Sequence, residues 1–593
     1  MKDFLRSTLA SVLGTLCAVA ILFFAISTYF IAELPAEIPD SCVLVIDENI
    51  FATERGSFGD MQALLGSGEA PSVPLRKVIQ AIDHATDQGR IKAILLLHSG
   101  HYGGAAAERA VLDALLRFRA AGKKIYAYAA DYDMSSYYLA SVADPIFVPP
   151  LGIFDMSGYA AEMMFFADAM ESLGVEMQVT RVGKYKSAVE PFVLPRASEA
   201  NLEQMRQLLD SLQDVWFADV SAARGVALEQ LQTWLAEGGM YSAEFALENG
   251  LVDRIGYFDE LLAELVSLVG EDPENHDTFA QVGLMRYLEE MEEDESGDAY
   301  RYRIAVIYAE GEIFDGFSDT EIGGDSLALE LREARLDENI DAVVLRVNSP
   351  GGSATASEVI LREMQLLRVA EKPVIVSMGR LAASGGYWIA CQADKIVAEP
   401  NTITGSIGVF GMFPNIEKLL QDVGVHVDTV QTGPWATMMS LYHRKSADEL
   451  AQMQVYVDTI YAGFLDRVAV GRSLTREQVH EIAQGRVWSG ADALELGLVD
   501  QLGNLDDAIA LAAEALGAAH WFVDYREPEG NYLQQLTSQL LGAEDYPIAR
   551  TPQHSALHIP IGLLPLWQEL QRNAALLERP GVYARLPYRL EIR

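Results

Sequence analysis

Basic residues are scarce in this chain: 44 Lys and Arg stand against 85 Asp and Glu in 593 residues, a formal net charge of −41. That excess repels nucleic acid and gives no reason for adhesion to anionic lipid; its ordinary use is solubility. Cysteine is nearly missing. The three present are Cys17 in an apolar N-terminal run, Cys42 soon after it and Cys391 past a Gly-Gly pair. They make neither a disulfide framework nor a zinc spacing, and no metal or cofactor is expected. The ten histidines form no catalytic set, and His98 and His101 read as structural.

Long hydrophobic runs are absent but for one. Thr8 to Ala32 is interrupted only by Ser, Thr, Gly and Cys, and as a helix it would span roughly 37 Å, enough to cross a hydrocarbon core of about 30 Å. Lys2 and Arg6 precede it, whereas Glu33, Glu37 and Asp40 follow and no base occurs before Arg55. The charge bias predicts a single-pass anchor in the cytoplasmic (inner) membrane, in contact with lipid, with the body on the outer, periplasmic side. A cleaved signal peptide is the rival, disfavoured because the run exceeds a usual h-region.

What is present is a module written twice. Lys372-Pro-Val-Ile-Val-Ser-Met-Gly-Arg-Leu-Ala-Ala-Ser384-Gly-Gly-Tyr-Trp-Ile-Ala-Cys-Gln-Ala-Asp394 is echoed by Lys124-Ile-Tyr-Ala-Tyr-Ala-Ala-Asp-Tyr-Asp-Met134-Ser-Ser-Tyr-Tyr-Leu-Ala-Ser-Val-Ala-Asp144, an offset of 250 residues. Short apolar runs alternate with amphipathic ones in both copies, which predicts α/β units with a mainly parallel sheet. The expected division is a cytoplasmic stub and anchor at 1–34, a first repeat at 41–269, an acidic exposed connection at 270–301, a second repeat at 302–525 and a C-terminal extension at 526–593 that packs on the body.

At the 250 offset Ser384 faces Met134, and Lys186 faces Ala436. A serine in one copy and a lysine in the other read as a Ser/Lys hydrolase divided between its halves. Ser384 ends a small-residue turn after a buried run and precedes a helix, where N–H groups favour developing negative charge; a serine so placed can equally be a helix cap. Gly351-Gly352, in Asn348-Ser-Pro-Gly-Gly-Ser353, could expose backbone N–H groups as an oxyanion site or be a plain turn. Ser406 could orient an amine or be a loop serine. Lys186 must be buried to act as a base at neutral pH, and Lys184 is its natural decoy.

Tyr185-Lys-Ser-Ala-Val-Glu-Pro-Phe192, Asn348 to Gly352, Ala382-Ala-Ser-Gly-Gly-Tyr-Trp388, Thr404-Gly-Ser-Ile-Gly408 and Gly485-Arg-Val-Trp-Ser489 resemble the signal peptide peptidase A (protease IV) family in its long, duplicated form. The resemblance implies tandem ClpP/crotonase-like domains and a membrane-bound serine endopeptidase acting on released, hydrophobic signal peptides. It assigns Ser384 as nucleophile, Lys186 as general base, Ser406 as the residue orienting the lysine, and Gly385 with Gly351 or Gly352 as oxyanion donors. It also implies a homotetramer. A crotonase-like acyl-CoA enzyme and a catalytically silent membrane scaffold remain alternatives at this stage.

Overall fold

The computed structural model describes residues 38–47, 51–54, 72–97, 103–273, 275–292, 300–318, 320–526 and 581–585. The apolar run Thr8 to Ala32 and the loop with His98 and His101 lie outside the described residues. Among those described, no helix is long and apolar enough to cross a membrane.

The duplication is visible strand by strand. In the first repeat six parallel strands lie in the order Arg254–Ile255, Ile146–Val148, Lys124–Tyr128, Ile91–Leu97, Cys42–Ile46, Gln281–Gly283. The second repeats that order with Gln501–Leu502, Lys395–Ala398, Val374–Ala383, Ala342–Ser349, Tyr302–Glu310 and Trp521–Arg526. Runs such as Cys42–Ile46 and Ala342–Leu345 are apolar without alternation because helices cover both sheet faces. Ile304, Val306 and Val344 pack on one face of the second sheet while Ala305, Ile307 and Leu345 pack on the other.

One expectation needs correction. Much of the stretch 270–301 is the first repeat's edge, since Gln281–Gly283 adds the sixth strand and the helix Leu284–Glu292 follows it. Val282, Leu284 and Tyr287 are buried in the core, so the first repeat continues well past 269. The acidic run that suggested a linker starts on that helix, and its charge hid the apolar residues inside.

A third sheet joins the repeats. The first repeat's Glu176–Val182 runs antiparallel to the second repeat's Val409–Asn415, in register from Val182 opposite Val409 to Glu176 opposite Asn415. Val182 lies four residues before Lys186 and Val409 three after Ser406, so this ladder brings the two loops together. Of the tail beyond 526, only Gly581–Arg585 is described. It pairs antiparallel with both Gly351–Ser353 and Val409–Asn415, between which it lies.

Candidate active site

Ser384 closes the strand Val374–Ala383, which extends far enough past its neighbour for Ala382 to pair with Ser349 and Ala383 with Gly405. Its N–H donates to the Gly405 carbonyl at 2.8 Å, and its own carbonyl accepts from Trp388 N–H at 2.8 Å, starting the helix Gly385–Ala390. Its backbone sits at φ 56°, ψ −112°, a conformation that a residue with a Cβ adopts at a cost of about 1–3 kcal/mol. The hydroxyl makes no cap bond, which removes the helix-cap alternative. That helix has six residues, so it offers N–H donors more than a dipole. The Gly385 N–H has no acceptor among the described residues.

Lys186 is fully buried. Its Nζ lies 2.8 Å from Ser384 Oγ, 3.0 Å from Ser406 Oγ and 3.0 Å from the Ser406 carbonyl oxygen. Burial drives its pKa well below the ordinary lysine value, as no carboxylate among the described residues stands by to stabilise the ammonium. Ser406 is itself buried, at φ 51°, with its N–H donating to the Arg486 carbonyl at 2.6 Å. Lys184 points outward instead, 3.5 Å from Glu203 and 3.1 Å from the Tyr185 hydroxyl.

The segment 484–487 splints the two loops. Gln484 O accepts from Tyr185 N–H at 2.9 Å, while Gly485 N–H donates to Ile407 O at 2.8 Å. A Cβ on Gly485 would sit 2.6 Å from Lys186 Cβ, so only glycine lets the lysine's backbone come this close. The Arg486 guanidinium lies 4.7 Å from the Tyr185 ring centroid and 4.5 Å from that of Trp488.

The glycine turn flanks the same spot: a Cβ on Gly386 would lie 2.7 Å from the Ser349 carbonyl oxygen. Gly351 N–H donates to Ser349 Oγ at 3.2 Å. Gly352 pairs with Ile313 on one side and with Ala584 of the C-terminal strand on the other. Ser353 is the cap of helix Ala354–Val369 and bonds Asp315 at 2.8 Å.

All the residues expected at the site are thus brought into one region spanning both repeats. Sequence reasoning missed three buried groups around it. Gln204, 1% exposed, touches the residues on either side of Lys186. Arg346, on the strand leading to the glycine turn, forms a bidentate pair with Glu54 of the first repeat at 2.9 Å. Burial, reinforced by Asp113 and opposed by Arg109 and Arg346, pushes the Glu399 carboxyl up to about 8. No motif marked any of them, because their partners lie up to 292 residues away in sequence.

Comparison with known proteins agrees with the duplication. Peptidase family S49 matches residues 117–271 and 367–519, one block in each repeat. Protease 4 of Salmonella typhi is 36% identical over 509 residues, covering 84% of this chain and 81% of that one. Protease 4 of Haemophilus influenzae is 37% identical over 470 residues, 75% of each. A ClpP1 mutant of Listeria monocytogenes superposes on 34% of this chain, and on 94% of its own, at a TM-score of 0.24 and 16% identity, too low to bear on the fold. With a duplicated mixed α/β body and matches of this extent, the chain belongs to peptidase family S49 and is a serine peptidase.

Proposed function

We propose that the peptidase works through a single Ser/Lys dyad divided between its repeats, with Ser384 as nucleophile and Lys186 as general base. The observation that carries this is a fully buried amine 2.8 Å from the hydroxyl of a serine in a strained turn. The neutral Nζ takes the Ser384 proton as Oγ attacks the scissile carbonyl. The Gly385 N–H, with one N–H of the Gly351-Gly352 turn released from its present partner, receives the oxyanion. The intermediate collapses, the ammonium protonates the leaving amine, and an ester to Ser384 remains. Water then gives a proton to Nζ, attacks the ester and releases the acid, returning the proton to Ser384. Ser406, accepting from Nζ through its hydroxyl and carbonyl, keeps the amine's lone pair aimed at Ser384.

The repeats are, in this reading, ClpP/crotonase-like domains held to the cytoplasmic membrane by residues 8–32 with the body outside the cytoplasm. The substrates are released signal peptides, whose apolar h-regions suit an endopeptidase beside a membrane. Family membership leaves the acyl-CoA and silent-scaffold alternatives without support.

The homotetramer has a physical rationale in the repeats. Residues 426–432 correspond to the strand Glu176–Val182, and 159–165 to Val409–Asn415, yet neither is in a sheet among the described residues. Val425, Val427 and Val430 are exposed at 47%, 47% and 100%. A second copy could pair its 159–165 with 426–432 head to tail, repeating the contact between repeats and closing into a ring.

The test is a serine-directed phosphonate probe with peptide turnover followed against pH. Labelling should map to Ser384 and vanish in Ser384→Ala. The rate should rise with pH as Lys186 loses its proton, and Lys184→Ala should leave that limb in place. Labelling at another serine, or a limb moved by Lys184→Ala, would overturn the assignment.

A further inference from the structure

Resting on that reading of Lys186, we propose that Gln204 is the positioning residue of the base, fixing the lysine's backbone across the boundary between the repeats. Gln204 lies in the first turns of the helix Glu199–Arg224 and is buried beneath the lysine loop. Its Nε2 donates to the Tyr185 carbonyl at 3.0 Å and to Ser187 Oγ at 3.0 Å, the residues immediately before and after Lys186, and lies 3.2 Å from Asn201 Oδ1. Its Oε1 accepts the Val487 N–H at 3.3 Å. Val487 ends the segment whose Gln484 carbonyl holds Tyr185 N–H and whose Arg486 carbonyl holds Ser406 N–H. One buried amide therefore ties the base's loop, from the first repeat, to the splint that also carries Ser406, from the second.

A lysine stem has four rotatable carbons, so the amine is only as well placed as the Cα it hangs from. Among the described residues nothing charged holds Nζ in place; its partners are two neutral oxygens of Ser406 and the Ser384 hydroxyl. Placement must then come from the loop, which Gln204 holds by the Tyr185 carbonyl before the lysine and the Ser187 hydroxyl after it. The second repeat supplies the contrast. Gln452 stands six residues after the cap Ser446, as Gln204 does after Ser198, and it is exposed. Within one chain, the same residue at the same helical position is buried and fully bonded where the lysine loop crosses it.

The experiment uses the full-length chain, with turnover expressed per active site titrated to completion with the phosphonate. Gln204→Met keeps the length and removes the hydrogen bonds. It should lower kcat by about tenfold to a hundredfold, as expected for a base displaced by a fraction of an ångström to an ångström, with KM nearly unchanged. Gln204→Glu keeps an acceptor for Val487 and sets a carboxylate near the lysine, so its pH–rate limb should move to higher pH. If both variants keep the wild-type kcat per site and the wild-type limb, losing only thermal stability, Gln204 is structural and the inference is wrong. Lys186→Met run alongside separates the two failures. Wild-type turnover there would sink the base assignment itself, whereas a dead Lys186→Met beside unaltered Gln204 variants would sink only this inference.

Discussion

At the position where the two repeats correspond, Met134 and Ser384, one backbone has relaxed and the other has not. In the first repeat Asp133 caps the helix Met134–Ala140 in a reciprocal box with Ser136, Met134 is buried, and its carbonyl accepts the Trp216 indole N–H at 2.8 Å. In the second, Ser384 holds a positive φ with no cap and turns its hydroxyl to Lys186. The exchange is mirrored in the other loop. Lys186 N–H reaches Gly183 O at 3.3 Å, and Ala436 N–H reaches Gly433 O at 3.3 Å, the same turn, but Ala436 is exposed and opposes nothing reactive. By the same register His101-Tyr102 stand in sequence where Gly351-Gly352 are. If the proposed dyad holds, each copy keeps the fold and half of the chemistry, and the strained turn stands where a hydroxyl would use it.

The largest effect should come from removing either half of the pair. Lys186→Met is expected to cut kcat by on the order of 10³-fold or more. It should leave stability at neutral pH unchanged or improved. A lysine whose pKa is depressed by folding makes the fold less stable at low pH, and stability returns as pH rises through the window up to the ordinary lysine value of 10.5. Methionine removes that burden. Denaturant melts and steady-state rates on the same preparation check both parts, and a strongly destabilised Lys186→Met would contradict the burial argument.

The next difference lies behind the glycine turn, where the second repeat has Arg346 and the first has the apolar Leu96. Glu54 and Arg346 have side chains only 9% and 6% exposed. Glu54→Gln leaves a buried guanidinium without its counter-charge, a loss of about 3–5 kcal/mol in chemical denaturation. The double replacement Glu54→Leu with Arg346→Leu should recover most of it, making the second repeat resemble the first.

A smaller effect follows from Glu399, which replaces Pro149 of the first repeat. Its folded pKa of about 8 exceeds the ordinary 4.5, so the fold favours the protonated acid. Its contribution is fully present below pH 4.5 and is lost as pH rises toward 8, by on the order of a few kcal/mol. Glu399→Gln should flatten the stability–pH curve across that window; an unchanged slope would mean the carboxyl is already ionised among Asp113, Asp507, Arg109 and Arg346.

Much of this was readable from the sequence. The α/β class, the 250-residue register and the pairing of Ser384 with Lys186 were legible from two copies written in one chain, whereas the role of Ser406 came from the family resemblance. Both the strand-to-helix turn and the Gly-Lys-Tyr-Lys loop carry local signatures. The first repeat's edge was misjudged because helix Leu284–Glu292 is acidic outside and apolar inside. Gln204, Glu54 and Glu399 were invisible for a different reason. Each is an ordinary polar residue given its role by burial against the other repeat, and burial between distant segments leaves no periodicity. Tests of fold and chemistry must therefore be made on whole chains.

The proposed dyad requires that one chain hold one complete site. Lys186→Ala and Ser384→Ala chains, each inactive, can be co-expressed with different tags and mixed assemblies isolated through both tags in turn. These assemblies should stay as inactive as either parent, because Nζ and Oγ meet within a chain at 2.8 Å. Substantial recovered peptide cleavage would mean that the lysine of one subunit serves the serine of another, and the divided site described here would be wrong.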